Sequence, residues 1–181
     1  LIDHTAVHRL NEEQIALWRG RSVGVIFQFF QLLPTLTAVE NVMLPMDFLS
    51  NIPPTERPER ALHLLEQVNM VDYVHKMPAE LSGGMRKRAG LARTLVLQPE
   101  IILYDEPTTG LDPYTSRDIN DLIFRVQKIY NVSSIVVTHD MKCARKVSDR
   151  IVILQNGNFI AMGSYDELEH HSDEMIRNYF I

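Results

Sequence analysis

The chain has 181 residues, 45% hydrophobic and 23% charged, enough to bury the core of one domain. A formal net charge of −5 and a pI near 5.8 exclude the basic footprint of a general nucleic-acid binder. The single Cys143 excludes an internal disulfide, no Cys/His cluster has zinc spacing, and Val23–Leu33 is far shorter than the roughly 20 apolar residues of a membrane-spanning helix. The sequence opens on Leu1 with no basic-then-apolar leader, so the expectation is a cytoplasmic domain cut from a longer protein.

Residues 11–20 read as a short surface helix, with Ile15 and Leu17 among Glu12, Glu13 and Arg19. Ser22–Phe27 reads as a buried strand. Phe29 to Pro45 is apolar and carries Pro34 and Pro45, which predicts a loop and then a short helix from about Thr37. Asn51–Pro58, with Pro53, Pro54 and Pro58, reads as a hinge or linker. Glu59–Met70 is an amphipathic helix with Leu62, Leu65 and Val68 on one face. Ser82 is placed to cap a helix running to about Gln98, where Pro99 stops it. Ile101–Tyr104 is a continuous apolar run of strand length. Residues 114–130 are helical, Ser134–Thr138 is another β-branched run, and 140–148 is a short helix. Ile151–Leu154 and Asn158–Ala161 flank Asn156-Gly157, a strong hairpin signal, and 164–180 is helical. Short apolar strands alternating with helices imply a parallel α/β sheet closed by a small antiparallel hairpin.

Two tracts have the residue types of phosphate chemistry. Four apolar residues followed by Asp105-Glu106 suit a buried parallel strand that delivers carboxylates into a crevice at its C-terminal end. The plainer reading is a strand ending in an acidic Asp-Glu-Pro turn. Ser82 followed by Gly83 and Gly84 at a helix start exposes backbone N–H groups where the macrodipole favours an anion, though a capped helix with a flexible entry has the same sequence.

The order of the motifs adds to this. Leu81–Arg88, then Ile101–Glu106, Thr109–Asp112 and Thr138-His139-Asp140, with Gln28 after Val25-Ile26-Phe27, resemble the ATP-binding subunit of ABC transporters over about residues 20–180. In that resemblance they are the signature, the Walker B strand with its adjacent catalytic glutamate, the D-loop, the switch histidine and the Q-loop glutamine. It implies an α/β, P-loop NTPase-like parallel sheet core with a helical signature subdomain, incomplete at its N-terminus. The expected division is a helical part over about 29–98, core strands over 99–163 and a C-terminal helix over 164–181.

The implied cofactors are ATP and Mg²⁺. Asp105 would help hold Mg²⁺ through water, and Glu106 would polarise the attacking water. His139 would contact the γ-phosphate, and Gln28 would reach the metal and link it to the permease. Ser82, Gly83 and Gly84 would cover ATP held by a second subunit, with Asp112 at that dimer seam. The implied partners are transmembrane permease subunits and a second ATPase subunit, and the implied place is the cytoplasmic face of the membrane.

No G-x-x-x-x-G-K-[S/T] occurs in the sequence, and in the family that loop lies further upstream of the Q-loop than the 27 residues before Gln28. The first strand and helix of the core are therefore expected outside this chain, with the loop about 45–50 residues before Gln28. The 181 residues alone are expected to hydrolyse no ATP and to expose apolar sheet surface along the flank of Ile101–Tyr104.

FQFFQLLPTLTAVENVMLP is similar to the Q-loop region of ATPases of lipoprotein release, macrolide export or cell division. LSGGMRKRAGLARTL and the tail GSYDELEHHSDEMIRNYF are similar to those of Mce-type phospholipid transport. The leading reading is lipid or lipoprotein trafficking. A solute importer or exporter ATPase, a soluble ABC protein of ribosomes or DNA repair, and a non-hydrolysing regulatory fragment are the alternatives. Phe27 is expected in the core, while Phe29, Phe30, Leu32 and Leu33 are candidates for a contact surface. Arg86-Lys87-Arg88 is expected as a solvated helix face, with a membrane surface as the alternative. His4, His8, His63 and His75 are expected to be solvated, His170-His171 is a weak metal candidate, and Cys143 is a small core residue.

Overall fold

The computed structural model describes residues 5–29, 31–49 and 52–180. Three short strands pair in parallel, in the order β1 (Val23–Ile26), β2 (Ile101–Asp105), β3 (Ser133–Val137). The register sets Val25 beside Leu103 and Leu103 beside Ile135. Side chains alternate across a strand, so Ile26, Ile102 and Tyr104 fall on one buried face and Val25, Leu103 and Ile135 on the other. A separate antiparallel hairpin pairs β4 (Ile151–Gln155) with β5 (Asn158–Gly163). Asn156 and Gly157 both take positive φ, 49° and 78°, at its turn, as the Asn-Gly pair predicts.

Helices cover the buried face: α1 (Glu12–Ser22) leads into β1, then come α2 (Ala38–Leu49), α3 (Arg57–Gln67), α4 (Gly83–Leu95), α5 (Pro113–Tyr130) and α6 (Met141–Val147). The apolar stripes of α2 to α6 join the strands in one core that includes Val42, Met46, Leu65, Leu91, Leu95, Leu122, Ile123 and Cys143, while α1 buries only Ser22. The turn between β1 and α2 is tied by a buried amide. Asn41 accepts from the Leu33 N–H at 2.7 Å and donates to the carbonyls of Leu33, Leu36 and Thr37. All its hydrogen-bonding capacity is spent on one loop, which is what makes a buried polar side chain tolerable there.

Several expectations shift. In α3 the buried stripe is Ala61, Leu64, Leu65 and Val68, the i, i+3, i+4, i+7 set, and this leaves Leu62 40% exposed against 0% for Leu65. Helix α4 stops at Leu95, three residues before Gln98, which takes a left-handed φ of 52° and donates its N–H to the Leu95 carbonyl. The linker before α3 begins with Asn51, outside the described residues, and its last proline, Pro58, lies in the first turn of α3.

The C-terminal segment is not one helix. Ser164 and Glu167 form a capping box that starts α7 (Tyr165–Glu169), Asp173 caps a new helix α8 (Glu174–Arg177), and a 3-10 turn follows at Asn178–Phe180. Arg177 secures the break by donating to the carbonyls of His171 and Ser172, and Leu168 and Ile176 bury against Ile153. Phe27 lies past the end of β1 and is 41% exposed, so it is not core. Of the contact-surface candidates, Phe29 and Leu33 are exposed, Leu32 packs on the core, and Phe30 lies outside the described residues, as does His4. On the open face of the sheet, Ile135 and Val137 of β3 are each 60% exposed and Ile101 and Leu103 of β2 are half-buried, while Ile102 and Tyr104 of β2 face the core.

The corrected face of α3 is testable. Leu65→Ala should lower unfolding stability by about 2–5 kcal/mol, the cost of a core cavity, and Leu62→Ala by less than about 1 kcal/mol, in urea denaturation followed by circular dichroism.

Candidate functional site

Parallel strands end at one edge, and β1, β2 and β3 here deliver Gln28, Asp105-Glu106 and Thr138-His139 to that edge. Glu106 is the first residue beyond β2. Its backbone turns into the left-handed region, φ 47°, while its N–H extends the ladder by donating to the Val137 carbonyl at 2.9 Å. The turn aims its carboxylate at β3. One oxygen receives the backbone N–H of His139 at 3.2 Å and meets His139 Nδ1 at 2.9 Å. The other accepts from Thr109 Oγ1 at 3.1 Å and Thr138 Oγ1 at 3.4 Å. A carboxylate with four hydrogen-bond partners on a half-buried shelf is held in place before any ligand arrives.

His139 itself is exposed. The hydrogen bond to Glu106, then the charge of that carboxylate, raises the imidazole above its ordinary pKa of 6.5, with a smaller contribution from Asp140 and a small opposing effect of desolvation. Asp140 is placed by its own bonds: it caps α6 through the N–H groups of Lys142 and Cys143 and accepts from Thr108 Oγ1 at 2.9 Å. Behind this shelf lies Cys143, whose thiol burial and nearby carboxylates push up to about 12; it is a packing residue without thiolate character.

A second group forms around the start of α4. Ser82 caps the helix by accepting the Met85 N–H at 3.2 Å. Gly83 and Gly84 pack on the next turn of chain: a Cβ on Gly83 would come 3.2 Å from Leu111, and one on Gly84 only 2.5 Å from Thr115 Cγ2. Close approach thus favours glycine at Gly84, where a Cβ would force Thr115 to shift, more than at Gly83, where the leucine tip need give only slightly. Asp112 caps α5, accepting from the N–H groups of Tyr114 and Thr115 and from Thr115 Oγ1, and those bonds lower its pKa. Its carboxylate therefore has a structural task inside its own helix turn.

The site residues read from the sequence fall into these two groups. Glu106 and His139 touch, and Asp105 stands exposed beside Glu106. Gln28 shares the edge in the turn after β1, and Ser82, Gly83, Gly84 and Asp112 gather at the facing ends of α4 and α5. Among the described residues no group of three or more His, Cys, Asp or Glu gathers to hold a metal ion, His170 and His171 included. A lone exposed carboxylate fits a hard cation such as Mg²⁺, which keeps waters and takes its other ligands from phosphates, and does not fit a protein-only cage.

The sequence analysis named Thr109, Thr138 and Lys87 inside motifs but gave their side chains no role at the site, and it passed over Thr108. The first two had a signal, since a hydroxyl three residues after Glu106 and one just before His139 both reach that edge. Lys87 had none. Arg86-Lys87-Arg88 is not a uniformly solvated face, since Lys87 is buried and Arg86 and Arg88 are half-buried. Arg86 donates to the Leu81 carbonyl, Arg88 donates to the Val68 carbonyl and pairs with Asp118, and Lys87 is 4% exposed.

The sequence profile of the ABC transporter family matches residues 1–109. The chain belongs to this ABC transporter ATP-binding family. It is 35% identical over 181 residues to the glycine betaine/proline betaine transport system ATP-binding protein ProV of Escherichia coli (strain K12), covering 99% of this chain and 45% of ProV. It is 38% identical over 159 residues to the lipoprotein-releasing system ATP-binding protein LolD of Bacteroides fragilis, covering 88% of this chain and 73% of LolD. Its fold is that of solved ATP-binding cassettes. The cassette MJ0796, solved as a dimer in a post-hydrolysis state with ADP and Pi, superposes with a TM-score of 0.79 at 34% identity, covering 91% of this chain and 72% of that one. The chain thus spans less than half the length of ProV and about three quarters of LolD.

The raised imidazole yields a prediction. The pair favours the folded, protonated His139: its contribution is complete below the ordinary histidine value and is lost as pH rises through the raised one. In an NMR titration His139 should have a midpoint above 6.5, and Glu106→Gln should bring that midpoint down. A midpoint unmoved by the substitution would show that the pair does not form in solution.

Proposed function

We propose that this chain works in an ATP-hydrolysing subunit that powers a membrane transporter, with Glu106 as the acid that polarises the attacking water. The observation that carries the reading is the Glu106 carboxylate clasped by His139 at the C-terminal edge of a parallel sheet, 2.9 Å apart. Phosphoryl transfer demands positioning and electrostatics more than covalent participation by the protein. Glu106 supplies a base whose orientation is already fixed by Thr109, Thr138 and the His139 amide, so it stays in place when the imidazole leaves it for a γ-phosphate. His139, carrying its proton more firmly than an ordinary histidine, is suited to donate to a phosphate oxygen. Asp105 and Gln28 are the residues of this edge for a hydrated Mg²⁺, which when bound neutralises phosphate charge.

Ser82, Gly83 and Gly84 are proposed to serve a different nucleotide, one held by a second subunit. Their N–H groups open the first turn of α4, and their packing partners are Leu111 and Thr115. Asp112, in the same cluster, is proposed at the seam. The dimeric state of the MJ0796 cassette supports this arrangement. Nucleotide then joins two subunits and hydrolysis parts them, a two-state switch that drives permease partners at the cytoplasmic face of the membrane.

For cargo the proposal is lipid or lipoprotein trafficking, supported by the LolD relative, which this chain matches at 38% identity. Import of small solutes is the second reading, favoured by the ProV match over 99% of the chain. Co-purification of the subunit with its permease from membranes, and identification of that permease, separates the two.

In the intact subunit, Glu106→Gln should retain ATP binding and lower turnover by roughly 10²–10⁴-fold, because the amide keeps the shape but accepts no proton. The same variant should accumulate as an ATP-bound dimer in size-exclusion chromatography with light scattering. Wild-type turnover would remove Glu106 from the catalytic role.

Ser82→Arg should block ATP-driven dimerisation while leaving the circular dichroism spectrum unchanged. In mixed dimers with Ser82→Arg on one subunit and Glu106→Gln on the other, damage confined to one of the two sites supports the composite arrangement. Damage to both sites assigns Ser82 to the nucleotide of its own subunit.

A further inference from the structure

Lys87 lies in the second turn of α4, and its side chain runs into the interior, where burial is nearly complete at 4% exposure. Lysine is almost never buried unless its ammonium has partners, since an uncompensated charge in the interior is strongly unfavourable. Here Nζ donates to the backbone carbonyl of Glu106 at 3.0 Å, across 19 residues of sequence. Burial pushes the ammonium down to about 8, and the Glu106 charge partly offsets that, so at neutral pH the group still carries the proton it donates.

The bond falls on a backbone that needs holding. A non-glycine residue in the left-handed region is held at a cost of order 1–3 kcal/mol and persists where surrounding structure over-determines it. Glu106, at φ 47°, is fixed on one side by its N–H to the Val137 carbonyl, while its own carbonyl accepts both the Thr109 N–H of the local turn at 3.3 Å and Lys87 Nζ. The two bonds from outside the turn come from β3 and from α4, and the one from Lys87 is the shorter of the pair at the carbonyl. We propose that Lys87 is a positioning residue for the catalytic acid: by holding the Glu106 carbonyl it sets the left-handed turn that aims the carboxylate, and it ties that turn to the helix that opens with Ser82-Gly83-Gly84. The inference rests on the reading of Glu106 as the catalytic acid. It gives α4 two tasks, one at each of two nucleotides: its first turn faces the partner's, and its second turn sets the acid for its own.

The test is steady-state ATP hydrolysis by the intact subunit with Lys87→Met, Lys87→Arg, Glu106→Gln and the double variant Lys87→Met/Glu106→Gln. Lys87→Met keeps the apolar stem and removes the donor. It should lower kcat by roughly 10–100-fold with KM for ATP within about twofold, because a misaimed base slows chemistry without weakening binding. Lys87→Arg, which keeps a charged donor, should recover part of that loss. Added to Glu106→Gln, Lys87→Met should cost nothing further, since its effect passes through the carboxylate. Wild-type kcat in Lys87→Met overturns the proposal, and so does an equal fold-loss in both backgrounds or a rise in KM matching the fall in kcat. If Glu106→Gln itself retains wild-type turnover, the reading of the site has failed, a result read independently of Lys87. Should Lys87→Met not fold, Lys87→Gln with the same double-variant comparison decides in the same way.

Discussion

Parallel pairing of three short strands in one register is the constraint on which the site depends. Because β1, β2 and β3 run the same way, their C-terminal ends meet at one edge, and residues up to 111 positions apart in the chain, Gln28 and His139, come to the same rim. The strands are only four or five residues long, so there is little freedom in where each ends. The ladder extends one bond further, from the Glu106 N–H to the Val137 carbonyl, and there the chain turns left-handed and brings a carboxylate across to β3. A slip of one residue would send Glu106 to the opposite face of the sheet.

Helix α4 is the second organiser. It lies against the sheet through Leu91 and Leu95, and its first turn meets α5 so closely that a Cβ at Gly84 would force Thr115 to shift. Its basic run is drawn inward: Arg86 closes on the end of the preceding loop, Arg88 reaches the Val68 carbonyl, and Lys87 reaches Glu106. A cation that spends its hydrogen bonds on carbonyls inside the molecule adds geometric definition more than net stability, since the desolvation of the charge offsets most of the bond. The buried amide of Asn41 acts likewise for the loop after Gln28.

Electrostatically the edge is poised around one proton. His139 and Glu106 hold each other, and the acid also keeps two threonine hydroxyls that do not depend on the imidazole. Separating the pair exposes both groups to a phosphate without dismantling either. The open face of β3, with Ile135 and Val137, shows that the helices described here cover one side of the sheet.

Much of this was legible in the sequence because it rests on local chemistry. Apolar runs of strand length, Ser82 as a cap, Asn156-Gly157 as a turn, and acids at the end of Ile101–Tyr104 all act within a few residues of themselves, and each appears where it was read. Whatever depended on a partner distant in the chain was settled only in three dimensions. Leu62 and Leu65 differ by which neighbour α3 meets, and the segment 164–180 breaks because Asp173 and Arg177 find better partners in a turn than in a continuous helix. Phe27 lies outside because its strand ends one residue earlier. Lys87 is the clearest case. In sequence it is the middle of three basic residues on a helix, indistinguishable from a solvated face, and only the packing of α4 against β1 and its neighbouring helices decides that its ammonium lies inside against a carbonyl 19 residues away. Burial is a property of what surrounds a side chain, and a one-dimensional pattern carries that only when the surroundings are local.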